Sequence, residues 1–199
     1  MTINWYGQYC FKITAARTKA EPVNIILDPP DKASGLRGPK LEADILLSTL
    51  ESEKIPAGDY FLINTPGEFD VKDVYIRGIN AKQTIIYKIS VEDIKFCHLG
   101  RISQPEFEPA QLEEIGDVDI LTLPVGADPK SAVKIMSQIE PKITLPMFYN
   151  IPKSAEKPGK LEDFLKLLGI EKLESLPKLN IKAKDLPKEE EAKVFILEA

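Results

Sequence analysis

The chain has 199 residues, 43% of them hydrophobic and 29% charged, the make-up of a soluble globular protein long enough to bury a core without disulfides or metals. Its formal net charge of −5 is mild, with Lys and Glu interspersed, so neither nucleic acid nor a membrane surface is expected as a partner, since both favour clustered positive charge. The single histidine, His98, excludes a His-rich binuclear zinc site in any fold, because zinc draws three or four His, Cys or carboxylate ligands per ion.

Apolar alternation predicts short strands over Thr2–Tyr6, Tyr9–Thr14 and Val23–Leu27, with Gly7 and Gln8 as a tight connection between the first two. Ala43–Ser48 and Tyr60–Asn64 follow as apolar runs of strand length, and Pro66-Gly67 reads as a turn. Val74–Ile79, Thr84–Ile89 and Ile94–Leu99 form a meander, the last two joined by an acidic turn at Glu92-Asp93. The second half alternates. Pro109–Ile115 is a helix, Val118–Leu123 a strand, and a second helix starts at Asp128-Pro129, with Ala132, Ile135, Met136 and Ile139 on one stripe. Ile143–Met147 is a strand. Leu161, Phe164, Leu165 and Leu168 repeat the helical spacing up to Gly169, and Leu179–Ala183 and Val194–Leu197 close the chain as strands. The mixed-sign stretch from Lys184 to Lys193 reads as a solvated loop.

Strands first, then β-α-β-α-β without a linker, predict two sheets packed face to face with helices outside, in one domain over residues 1–199. Cys10 and Cys97 stand far apart inside apolar runs and belong to no CxxC pair, so two buried thiols in a reducing compartment are expected. The opening MTINWYGQYCFKI lacks a signal-peptide layout, and no apolar run approaches the ~20 residues that span a bilayer. A cytoplasmic location is the expectation.

A series of words then carries a resemblance. WYGQYCFKI, IILDP, ADILLSTLESEKI, NTPGEFDVKDVYIRGI, CHLGRIS, EEIGDVDILTLPVG, IEPKITLPMFY and a final LPKL occur in that order from Trp5 to Leu179. The series resembles the metallo-β-lactamase superfamily, in its lactonase-like and uncharacterised Zn-dependent-hydrolase-like branch. That resemblance implies an α/β, αββα four-layer sandwich of two mixed sheets with helices outside. It also implies metal motifs at fixed places, and this chain departs from each. Where an HxHxDH word should follow the strand ADILLST, Leu50 and Ser52 replace the first two histidines, Lys54 the aspartate and Ile55 the last histidine. Arg101 stands where a GD word would give a bridging aspartate, Phe148 where a PMHY word would give a histidine, and Gln8 where GHS would give a pocket histidine. Leu, Ile and Phe have no lone pair to donate, and Lys and Arg place positive charge where a cation would sit. No zinc is expected, and without it the superfamily's metal-activated water has no source.

Several residues invite closer reading. Arg101 either fills the vacated metal space and pairs with a carboxylate, Asp28, Glu51, Glu53 or Glu68, or points to solvent. His98 occupies a non-ligand position of the family word, and a hydrogen-bonded ring in or near the core is expected. A new metal site from Cys10, Cys97 and His98 would need the two cysteines within reach of each other. Ser52 with Glu51, Glu53 and Asp59 resembles a nucleophile among carboxylates, yet it lacks a nearby base, so a polar loop is the simpler reading. Glu68, Tyr149 and Asn150 are candidates to line a pocket, Glu68 equally to fix the turn after Pro66-Gly67.

The expected function is that of a non-catalytic member of an enzyme fold, serving as a binding, regulatory or assembly module whose partner is a second copy or another protein. The alternative is a hydrolase of the same superfamily acting on a phosphate-ester or lactone-like substrate by metal-independent or unconventional chemistry, with Arg101 and Lys54 holding an anionic group.

Overall fold

Alternating burial organises the first half of the chain. In the computed structural model, which describes residues 1–17, 20–50, 55–188 and 191–199, β1 (Thr2–Trp5), β2 (Phe11–Arg17), β3 (Ala20–Leu27), β4 (Ile45–Leu47) and β5 (Phe61–Ile63) build one sheet. Its order is β13-β1-β2-β3-β4-β5, where β13 is Leu179–Asn180. Ile3, Trp5, Phe11, Ile13, Ile25, Leu27, Ile45 and Leu47 all point into the core, as a period of two requires.

The second sheet has the order β14-β11-β10-β9-β8-β7-β6. It comprises β6 (Gly67–Val71), β7 (Val74–Ala81), β8 (Thr84–Val91), β9 (Ile94–His98), β10 (Ile120–Pro124), β11 (Ile143–Met147) and β14 (Lys193–Val194). β6 to β9 form an antiparallel meander, and β9, β10, β11 and β14 run parallel. Both central residues of the turns at Lys72-Asp73 and Glu92-Asp93 have positive φ, the geometry whose twist suits a two-residue hairpin. The central parallel strands β10 and β11 are buried along their whole length, as expected where crossovers cover the sheet.

The crossovers are α1 (Pro109–Ile115), α2 (Pro129–Ile139) and α3 (Leu161–Leu167). α2 starts where Asp128 accepts from the Lys130 N–H and Pro129 takes the first helical position. β12 (Ser175–Leu176) and β15 (Ile196–Leu197) form a small parallel pair. One cluster of buried apolar side chains runs from Met1 to Leu197 and joins the facing sheets.

Three expectations need correction. Pro66-Gly67 does not close a turn, because Gly67 opens strand β6, which pairs with β7 through Gly67↔Gly78 to Val71↔Val74. The closing strands are also shorter: Leu179–Ala183 stops at Asn180, and Val194–Leu197 is split, β14 joining the large sheet and β15 pairing with β12. Among the described residues no helix is long and apolar enough to cross a membrane.

Candidate functional site

The C-terminal ends of β3, β4, β9, β10 and β11 gather at one end of the sandwich, with the β1–β2 turn beside them. The turn is forced into shape by Gly7 and Gln8, with φ of +87° and +47°. A β-carbon on Gly7 would meet only the side-chain tips of Leu36 and Ile151, so it is the positive φ that favours glycine there. The Gln8 carbonyl accepts from the Trp5 indole N–H at 3.0 Å and from the Phe148 N–H at 3.2 Å. This ties the turn to the end of β11.

Beneath it lies a buried polar network. Asp28, at φ +41° just after β3, is 2% exposed. Its carboxylate accepts from the Thr49 N–H at 2.7 Å, the Thr49 hydroxyl at 2.7 Å and His98 Nε2 at 3.1 Å. The other ring nitrogen, Nδ1, meets the Thr122 hydroxyl at 2.7 Å. His98 is fully buried, so the expectation of a hydrogen-bonded core histidine holds. The Thr49 carbonyl in turn accepts from the Ile85 N–H and the Thr84 hydroxyl. Asp28 and Thr49 follow strands of the first sheet, while His98 ends β9 and Thr122 lies within β10 of the second, so the network joins the two sheets across the core. Gly100, at φ +57°, lets the chain pass Thr49, where a β-carbon would lie 2.4 Å from its methyl.

Above the network sits an aromatic and cationic cluster. Tyr9 is buried and stacks on Phe148, with ring centroids 4.6 Å apart and planes 18° from parallel. The half-buried Arg101 guanidinium lies 4.3 Å from the Tyr9 ring centroid. Burial pushes the Tyr9 hydroxyl well above its ordinary range, and the nearby Arg101 charge opposes that rise. Tyr149 is buried against Trp5 at 4.9 Å, its hydroxyl also pushed up by burial.

Gln8, Tyr9, Arg101, Phe148 and Tyr149 thus come together at this end, and Asp28 directly below. The Asp28 carboxylate is held by Thr49 and His98, and Arg101 stands over the Tyr9 ring. Glu68 is exposed on β6, its carboxylate 3.8 Å from Arg77 on β7. Leu50 and Ile55 are half-buried, and Asn150 is exposed with its N–H donating to the Gly159 carbonyl. Glu51, Ser52, Glu53 and Lys54 lie outside the described residues. The motif reading overlooked Tyr9, Thr49 and Thr122. Thr49 was legible in principle, since it follows the buried strand Ile45–Leu47 and immediately precedes the first ligand position.

Whether these residues fit a metal can be tested on donors. Among the described residues no three His, Cys, Asp or Glu side chains are grouped to hold an ion. Both His98 ring nitrogens already have partners, and Cys97 is fully buried with its thiol pushed up to about 12 by burial, which disfavours the thiolate a metal needs. Among the described residues, then, the donor set does not fit a divalent ion.

Two mixed sheets packed face to face, three crossover helices and a site at the strand ends define the metallo-β-lactamase type of α/β sandwich. The family model of the beta-lactamase superfamily domain matches residues 2–148. A Thermotoga maritima protein named as a candidate Zn-dependent hydrolase of the metallo-β-lactamase superfamily is 30% identical, covering 100% of both chains with a TM-score of 0.82. The chain belongs to the metallo-β-lactamase superfamily. A metallo hydrolase from the archaeon Ignicoccus hospitalis shares the fold at 16% identity and TM-score 0.61, over 91% of this chain and 99% of that one. A candidate metal-dependent hydrolase from Parabacteroides distasonis does so at 19% and 0.58, over 85% and 90%. A search of curated protein sequences gave no match.

Proposed function

We propose that this chain is a metallo-β-lactamase-superfamily member without zinc chemistry, its scaffold kept as a single-domain binding, regulatory or assembly module. The observation that carries this reading is the packing of Arg101 and Phe148 on Tyr9. Those two positions answer to a bridging aspartate and a histidine in the family's words, and here they bring a cation and a ring to a shared aromatic partner. A guanidinium over a desolvated ring is favourable by about 0.5–2 kcal/mol, and its charge repels a divalent ion at the same place. The test is hydrolase activity toward lactone, phosphomonoester and phosphodiester substrates with excess zinc. No turnover above buffer supports the reading, and zinc-stimulated turnover overturns it.

A second reading keeps this end of the fold as an enzyme site. The Arg101 charge at the strand ends favours it, since a guanidinium holds a phosphate ester in a two-pronged grip. Zinc-independent turnover of a phosphate ester that Arg101→Ala abolishes would establish it.

A further inference from the structure

The end of the first sheet points to a contact between copies. β5 pairs with β4 on one side only. The Phe61 N–H donates to the Asp44 carbonyl and the Ile63 carbonyl accepts from the Ser48 N–H, so Phe61 and Ile63 direct their backbone groups inward. Between them, Leu62 directs its N–H and C=O away from the sheet, and among the described residues neither has a partner. Phe61 and Leu62 are 49% and 39% exposed, two of the four large apolar side chains described as exposed. The segment Tyr60–Thr65 carries no charge and no proline. Isolated edges usually bear charged or proline gatekeepers, and one that lacks them is a template for another strand.

We propose that β5 pairs antiparallel with β5 of a second copy of this chain about a two-fold axis at Leu62, continuing the six-stranded sheet across a dimer. The segment complements itself. Leu62 of each copy exchanges two N–H···O=C bonds with its counterpart, Phe61 faces Ile63, and Tyr60 faces Asn64. Asp59, the nearest charge, falls opposite Thr65 rather than another acid, so no like charges meet. A closed two-fold contact of this kind stops at two copies.

The other free edges do not offer the same match. The same operation on β6 about Phe69 would set Glu68 against Asp70, two carboxylates. β13 and β14 have two residues each, and β14 carries Lys193. This inference is independent of the zinc question, since it rests on the sheet edge alone.

The test is solution mass by light scattering and sedimentation at about 10–100 µM, where a specific pairing of this kind should be populated. Wild type is expected at twice the 22.2 kDa chain mass. Leu62→Pro removes an N–H that serves no internal ladder bond, a change edge strands tolerate, so a monomer with unchanged far-ultraviolet circular dichroism is expected. Should that variant fail to fold, Leu62→Lys tests the same axis: alone it is monomeric, and mixed with Leu62→Glu it forms a mixed dimer. A monomeric wild type overturns the proposal, as does a dimer that survives Leu62→Pro or Leu62→Lys.

Discussion

Removing the Asp28 carboxylate should be strongly destabilising. In Asp28→Ala the Thr49 N–H, the Thr49 hydroxyl and His98 Nε2 all lose their acceptor, at a site where Asp28, Thr49 and His98 are at most 2% exposed. Each buried group left unmatched costs about 1–3 kcal/mol, so a loss of roughly 3–9 kcal/mol is expected from the three, against a total stability of about 5–15 kcal/mol. Asp28→Asn should cost only about 1–2 kcal/mol. Its amide oxygen still accepts from Thr49, and its NH₂ can donate to His98 Nε2 once the ring proton moves to Nδ1 and toward Thr122. Urea unfolding gives the energies, and ¹⁵N shifts of the chain's one histidine read the tautomer directly. Wild type should show Nε2–H and Asp28→Asn should show Nδ1–H. A loss below about 1 kcal/mol in Asp28→Ala, or an Nδ1–H wild-type ring, would refute the network's assignment.

Gly100→Ala forces a β-carbon to 2.4 Å from the Thr49 methyl at φ +57°, and a loss of about 2 kcal/mol or more is expected in the same unfolding assay. The Cys97 thiol is held protonated in the folded chain up to about 12, while the unfolded chain releases that proton near its ordinary value. Stability from this group is therefore complete at neutral pH and falls as pH rises from the unfolded value toward about 12. Cys97→Ala should flatten the stability slope across that window. In Arg101→Ala the Tyr9 ring loses the guanidinium over its face, and a loss of about 0.5–2 kcal/mol is expected in the same unfolding assay; unchanged stability would separate the two side chains.

The order of elements was readable from apolar periodicity, down to the bounds Pro109–Ile115 and Ile143–Met147. β6 escaped because GEFDV carries two acids and sits on an edge with one face open to solvent, so no buried alternation marks it. In the structure Arg101, Phe148, Gln8 and Asp28 lie at one end of the fold. What the family words could not give was partnership. The left-handed turn after β3 places the Asp28 carboxylate against Thr49 and His98. Tyr9 looked like one more apolar strand residue until Phe148 and Arg101, distant in sequence, were seen against its ring. Contacts between residues this far apart in the chain leave no local pattern.

Zinc content tests the central claim most directly. The chain should be purified from zinc-supplemented culture without chelator and measured by inductively coupled plasma mass spectrometry, beside a variant with the full set Leu50→His, Ser52→His, Lys54→Asp, Ile55→His, Arg101→Asp and Phe148→His. Less than about 0.1 zinc per wild-type chain is expected, with bound zinc only in the variant given three or more ligands. Close to one or two zinc ions per wild-type chain would contradict the claim.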